Sequence, residues 1–141
     1  MSPQLRACLT VTDVLFLAYW TVAALDAARL LQIPADWLYA HAHEPRVVAW
    51  NWSFLPLDIA FSLTGLYAVR LARQGDPAWR RMALVSLVLT MVAGGMAVSY
   101  WALLREFDPA WFLPNLALLL WPIAFLRPLV CGEARAAAPL R

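Results

Sequence analysis

Apolar residues run in four long blocks along the chain, over 11–31, 53–72, 82–104 and 111–126, with short polar stretches between them. At 1.5 Å rise per residue, about 20 helical residues cross a hydrocarbon core of about 30 Å. The first three blocks meet that length outright, and the fourth meets it by extending past Pro128 to Val130. None alternates with a period of two, and backbone groups in lipid must pair within their own segment, so each block is predicted to be a helix. The pattern therefore predicts an all-α polytopic membrane protein. It is a single domain over 1–141 with four transmembrane helices (11–31, 53–72, 82–104, 111–130) and a disordered tail over 132–141.

The boundaries carry their own signals. Thr10, Thr12 and Asp13 can each cap the first helix, and Pro34 follows its end. The connection over 32–52 is the longest, and its "PADWLYAHA" segment has the character of a short interfacial helix with Trp37 and Leu38 among headgroups. "RQGDPAWRR" and "REFDP" are turns. In the third block Ser86, Thr90, Ala93, Gly94, Ala97 and Trp101 form a small-residue stripe at helical spacing, and Asp58, Ser62 and Gly65 form another in the second. Such stripes let helices approach closely in lipid, here against each other or against the first helix.

Composition agrees with lipid as the solvent: 63% of residues are hydrophobic and 14% charged, against roughly half and a quarter in soluble domains. The net charge of +2 is too small to argue for nucleic acid, but its placement orients the chain. Four crossings put both termini and the second connection on one side. That side holds Arg6, Arg70, Arg73, Arg80, Arg81, Arg127, Arg135 and Arg141, against Arg29, Arg46 and Arg105 on the other. The excess predicts cytoplasmic termini. Every basic residue is arginine and alanine is abundant, which fits a GC-rich bacterial genome and makes the inner (cytoplasmic) membrane the expected location. "AALDAARL" is a poor cleavage site, so the first block is expected to be retained as a helix.

Within so apolar a chain, the polar residues inside the blocks are the candidates for chemistry. Asp58 admits two readings. With Pro56 in the first helical turn, it is an anion near a helix start, favoured by the dipole. Alternatively it is a carboxyl within the hydrocarbon, which usually faces a bundle interior or water. Asn115 is an amide that needs partners, and Asp58, Asn51 and Tyr100 lie at comparable depth. Asp26 can pair with Arg29 one turn on, and Tyr19 shares its stripe. Together Asp26, Asn51, Asp58, Tyr100 and Asn115 are expected to line one polar cavity open to the outer side. Trp50, Trp52, Phe54, Tyr100 and Trp101 would supply its walls. Asp13, at the inner side, is expected to cap its helix or pair with arginine; the alternative is an inner-leaflet site shared with Trp20, seven residues on along the same face.

No metal or other cofactor is expected. His41 and His43 stand two apart in a connection, near Asp36 and Glu44, a spacing that suits no zinc site, and neither lies within a span to hold haem. Cys8 and Cys131 fall on the reducing side and form no C-x-x-C pair. No phosphate loop, nucleophile elbow or dinucleotide fingerprint is present.

Four segments, "TDVLFLAYW" (12–20), "AWNWSFLPLDIAFSLTGL" (49–66), "ALVSLVLTMVAGG" (83–95) and "FDPAWFLPNLALLLWP" (107–122), carry a resemblance over residues 12–122. The chain resembles a family of small bacterial membrane proteins called YvaD-like, to which no function is assigned. The resemblance implies a four-helix membrane fold with Asp13, Asn51, Asp58 and Asn115 inside family motifs. The connection "YAHAHEP" departs from the family pattern, so the histidines are expected to be peculiar to this member.

Three functions compete. The favoured one is an outer-facing intramembrane pocket for a small amphiphilic or lipophilic molecule, with the bilayer as the other partner. The second is a cofactor-independent enzyme, analogous to polytopic terpene cyclases, with Asp58 as proton donor or base. The third is a structural or regulatory subunit. Transport would require oligomerisation, because so short a chain lacks internal symmetry.

Overall fold

A computed structural model of the protein describes residues 1–34, 37 and 41–136, the stretch 131–136 by backbone alone. Helix α1 (Pro3–Ala27) begins eight residues before the apolar block does. Ser2 caps it, its hydroxyl accepting from the Leu5 N–H at 3.2 Å, and Pro3 occupies the first turn, where its missing N–H costs nothing. Thr10, Thr12 and Asp13 are therefore interior helical residues rather than caps. The capping signal at Ser2–Pro3 outweighs the polar Gln4 and Arg6 that follow it. At the other end the helix stops at Ala27, short of residue 31, and Arg29 turns the chain through a left-handed conformation at φ 59°.

The second predicted span acquires a preceding helix. Pro45 opens α2 (Pro45–Ser53), Phe54 makes a joint of helical dihedrals, and α3 (Leu55–Arg73) continues from it. Asn51 O accepts from Phe54 N and Phe54 O from Asp58 N, so the hydrogen bonding runs through the joint. The expected connection over 32–52 is shortened accordingly, and Trp50, Asn51 and Trp52 are helical. Most of the "PADWLYAHA" segment, like Asp36, lies outside the described residues.

Helix α4 (Trp79–Leu104) is the longest and ends at Arg105, again left-handed at φ 58°. Asp108 caps α5 (Pro109–Leu120), its Oδ1 accepting from Ala110 N at 2.9 Å. Pro122 then interrupts the fourth span, because it has no N–H to continue the helical ladder. α6 (Ile123–Ala136) resumes it; residues 137–141 lie outside the described residues. Four stretches, Pro3–Ala27, Pro45–Arg73, Trp79–Leu104 and Pro109–Val130, are long and apolar enough to cross a membrane.

Packing follows a chain of neighbours: α1 lies on α3, α3 on α4 and α4 on α5. The seam that would close the ring, between α1 and α5, has no comparable contact among the described residues. At the end where α1 begins (the base), Leu5, Leu9, Ala68, Val69, Ala83, Leu87 and Leu129 form one buried cluster with Phe125 and Leu126 of α6 against it. There the ring is closed by side chains. Toward the opposite end α1 and α5 stand apart.

Both small-residue stripes are buried. Gly65 sits where α1, α3 and α4 meet: a Cβ there would strike the Asp13 carboxyl and stand 2.7 Å from Ser86 Oγ. Gly94 instead faces α5, where a Cβ would lie 2.6 Å from Asn115 O and Leu119 N. Val85, Val88, Val92 and Met96 point outward from α4, the apolar exterior a bilayer requires.

Candidate functional site

The open seam between α1 and α5 is a crevice of about 490 Å³. Leu15, Phe16 and Tyr19 form its α1 wall, and Trp111, Pro114, Asn115 and Leu118 its α5 wall. Ala93, Ala97 and Trp101 of α4 make the floor, with Asp58 beside them, and Trp50, Asn51 and Phe54 close the end away from the base. Leu15 is 62% exposed, so the crevice opens along its flank, toward the region lipid tails would fill.

Two adjacent aromatic residues of α1 hold the polar groups of this site. Tyr19 Oη donates to Asn51 Oδ1 at 3.1 Å, and Trp20 Nε1 donates to Asp58 Oδ2 at 2.9 Å. Successive helical residues point about 100° apart, so Tyr19 reaches the crevice while Trp20 turns into the α1–α3 interface, 3% exposed. Trp20 is braced by Tyr19 and Trp52, with ring centroids at 5.1 and 5.4 Å. Asn115 Nδ2 donates to Trp111 O, one turn back, at 2.7 Å.

This arrangement leaves a polar remainder. Asn51 Nδ2, Asp58 Oδ1 and Trp121 Nε1 are buried, belong to residues lining the crevice, and have no hydrogen-bond partner among the described residues. One acceptor and two donors without partners in apolar surroundings cost free energy, on the order of 1–3 kcal/mol each.

The candidates read from sequence divide at this crevice. Asn51, Asp58, Asn115, Tyr19, Trp50 and Trp101 line it. Tyr100 does not: it stacks on the far side of Trp50, centroids 4.2 Å apart and planes 18° apart. Trp52 packs on Trp20 behind the wall. Asp26 lies off the crevice as well, and its Oδ1 accepts from Ile33 N at 3.0 Å; among the described residues it forms no ion pair with Arg29. The expected five-residue polar cavity is thus reduced to Asn51, Asp58 and Asn115. Among the described residues Asp13 is neither a cap nor arginine-paired but fully buried in the third turn of α1.

The sequence sets Trp20 only on the face of Asp13; its bond to Asp58 is what the sequence did not show. Thr12, Leu15 and Phe16 on α1 and Pro114 and Leu118 on α5 are lining residues the sequence did not single out, although with Tyr19 and Trp111 each set recurs at i, i+3/i+4 and i+7 spacing. His41 ties the loop to the α4–α5 turn, its ring 6.0 Å from that of Trp101 and its Nε2 3.9 Å from Glu106. Among the described residues no group of three His, Cys, Asp or Glu side chains could hold a metal ion.

Fold and crevice define a small multi-pass helical membrane protein with a laterally open, aromatic-walled cleft. The chain belongs to a family of unknown function, DUF5360, whose model matches residues 5–136. It is 43% identical over 120 residues to the "Uncharacterized protein YvaD" of Bacillus subtilis (strain 168), covering 85% of this chain and 86% of the relative. No solved structure matches it. Tyr19 and Trp20 stand at the end of the segment over 12–20, and the Asn51 and Asp58 they hold stand in the segment over 49–66.

Proposed function

We propose that the protein binds one small amphiphile in the crevice between α1 and α5, taken up sideways from the bilayer. The observation carrying this reading is that an unpartnered donor, Asn51 Nδ2, and an unpartnered acceptor, Asp58 Oδ1, belong to residues lining one largely apolar cleft. A hydroxyl group complements both, accepting from the amide and donating to the carboxyl, while a flat or chain-like body lies along Trp111, Leu118 and Phe16. The volume falls within the roughly 300–1,000 Å³ usual for small-molecule sites.

The excess of arginine at the base supports cytoplasmic termini and a crevice in the outer half of a bacterial cytoplasmic membrane. The open flank favours binding over a cyclase-like reaction, which needs a chamber closed to competing nucleophiles. Asp58 is also braced by Trp20, as a fixed recognition group would be.

Pyrenebutanol, a rigid apolar body with one hydroxyl, tests this in nanodiscs, read by energy transfer from tryptophan to pyrene. Wild type should give a saturable component. Ala117→Phe, which fills the crevice from an exposed position on α5, should weaken it about tenfold or more, equivalent to roughly 1.4 kcal/mol. A signal that rises linearly with probe and is the same in both proteins would remove the case for a site.

A further inference from the structure

A second polar centre lies nearer the base and plays no part in the crevice. Asp13 is completely buried, and among the described residues neither carboxylate oxygen has a hydrogen-bond partner. Facing it across Gly65 is Ser86 of α4, also completely buried, its Oγ without a partner. Ser62 stands one turn from Gly65 on the same buried face of α3, and its Oγ is likewise unpartnered. Thr90 extends the group one turn up α4 and donates its hydroxyl to Ser86 O at 2.8 Å.

Gly65 is what makes room for this convergence. Any side chain there would overlap the Asp13 carboxyl and crowd the Ser86 hydroxyl. The space a side chain would take on a helix packed against two others is given over to oxygen atoms.

Packing alone does not explain the composition of the group. Small residues at helix interfaces bring backbones together, but an aspartate among them carries a charge that lipid-embedded protein does not leave bare. Ordinary compensation is missing: among the described residues no arginine or histidine forms an ion pair with Asp13. No N–H donates to it either. The polar atom placed beside the carboxyl is the Ser86 hydroxyl, with that of Ser62 one turn along the same face of α3, and hard cations take oxygen ligands. One carboxylate with neutral hydroxyls supplies a single negative charge, which balances a monovalent ion and falls short for a divalent one. The other buried acid of the bundle, Asp58, is engaged by Trp20 and lies toward the far end of α3.

We infer that Asp13, Ser86 and Ser62 form an intramembrane site for one small monovalent cation of the Na⁺ class, at the junction of α1, α3 and α4. Asp13 supplies the charge and both carboxylate oxygens. The two serines supply neutral oxygens from the helices on either side, so occupancy ties α1 to α3 and α4. The site is separate from the crevice, since none of its three residues lines it.

Dicyclohexylcarbodiimide, an apolar reagent for carboxyl groups within bilayers, tests this on the full chain in nanodiscs. Choline chloride replaces NaCl at constant ionic strength and pH, and peptide mass spectrometry counts the adduct on Asp13 separately from Asp58. Sodium should slow labelling of Asp13 about tenfold or more while leaving Asp58 unchanged. Ser86→Ala should raise the half-protecting Na⁺ concentration about tenfold without altering the rate in choline. The thermal midpoint of wild type should rise with Na⁺, since a ligand of the native state stabilises it, and Asp13→Asn should abolish that dependence. Equal labelling of Asp13 in both media overturns the inference, leaving a carboxyl neutralised by a proton alone. So does an unlabelled Asp13 combined with a midpoint indifferent to Na⁺. No amphiphile enters the assay, so either failure leaves the crevice reading as it stands.

Discussion

Gly94→Ala lowers the stability of the bundle by about 1–3 kcal/mol, the usual cost of overpacking, whereas Gly95→Ala leaves it unchanged or raises it by up to about 1 kcal/mol. The two glycines are neighbours on α4, and helix propensity favours alanine equally at both. Their surroundings differ. A methyl group on Gly94 would lie 2.6 Å from Asn115 O and Leu119 N and 2.9 Å from Leu118 Cβ. Two of those atoms are backbone, so no rotamer change relieves the clash and α5 must move outward. On Gly95 the same methyl meets only Leu119 Cδ1, at 3.5 Å, an ordinary contact with the end of a flexible side chain. Because Trp111, Asn115 and Leu118 of α5 form one wall of the crevice, Gly94→Ala should also weaken pyrenebutanol binding. Reversible unfolding in mixed micelles measures the first effect and energy transfer the second. Equal stability of the two variants would mean that α4 and α5 do not approach as described.

The four spans were legible because hydropathy responds to length, and an unbroken run of about 20 apolar residues is the signature of a helix that crosses lipid. Their ends were less legible. Ser2 and Pro3 start α1 by capping chemistry, well before the residues become uniformly apolar, and that shift carried Asp13 from a terminus to the middle of a packed interface. Pro45 starts α2 from the first helical position with no side-chain cap, within a stretch whose Glu44 and Arg46 read as loop. Depth along a helix could be counted, so Asn51, Asp58 and Asn115 were grouped for a reason that the geometry of the crevice shares. Direction around a helix could not be counted across helices whose partners were unknown. Tyr100 and Trp101 illustrate the difference: they are neighbours at one depth, yet about 100° apart around α4. Trp101 reaches the crevice, and Tyr100 is carried to the outer side of Trp50. Trp52 and Trp20 are displaced by the same rotation from Asn51 and Tyr19. In a bundle with few polar groups, adjacency in sequence therefore separates residues into lining and bracing roles, and both roles fall inside the same short motifs.

Trp20→Phe lowers stability by about 1–3 kcal/mol, because it removes the N–H that Asp58 Oδ2 accepts from and leaves a buried carboxyl with no donor. Part of that loss is volume, since the smaller ring fits less tightly against Tyr19 and Trp52. A double-mutant cycle separates the two contributions. In an Asp58→Leu background the carboxyl is absent, so Trp20→Phe should cost only the packing difference. The coupling that remains should be about 0.6–1.7 kcal/mol, the range for hydrogen bonds between helices in membranes. Binding should respond differently from stability. Asp58→Leu removes the acceptor left over for a ligand hydroxyl and should weaken pyrenebutanol while preserving the affinity of pyrene-butane, which lacks the hydroxyl. Trp20→Phe leaves that acceptor in place but frees the carboxyl to rotate, so its effect on the alcohol should be smaller and of the same sign. A coupling energy of zero would show that the indole does not hold the carboxyl. The acceptor in the crevice would then have no fixed direction, and discrimination between the alcohol and the hydrocarbon should disappear with it.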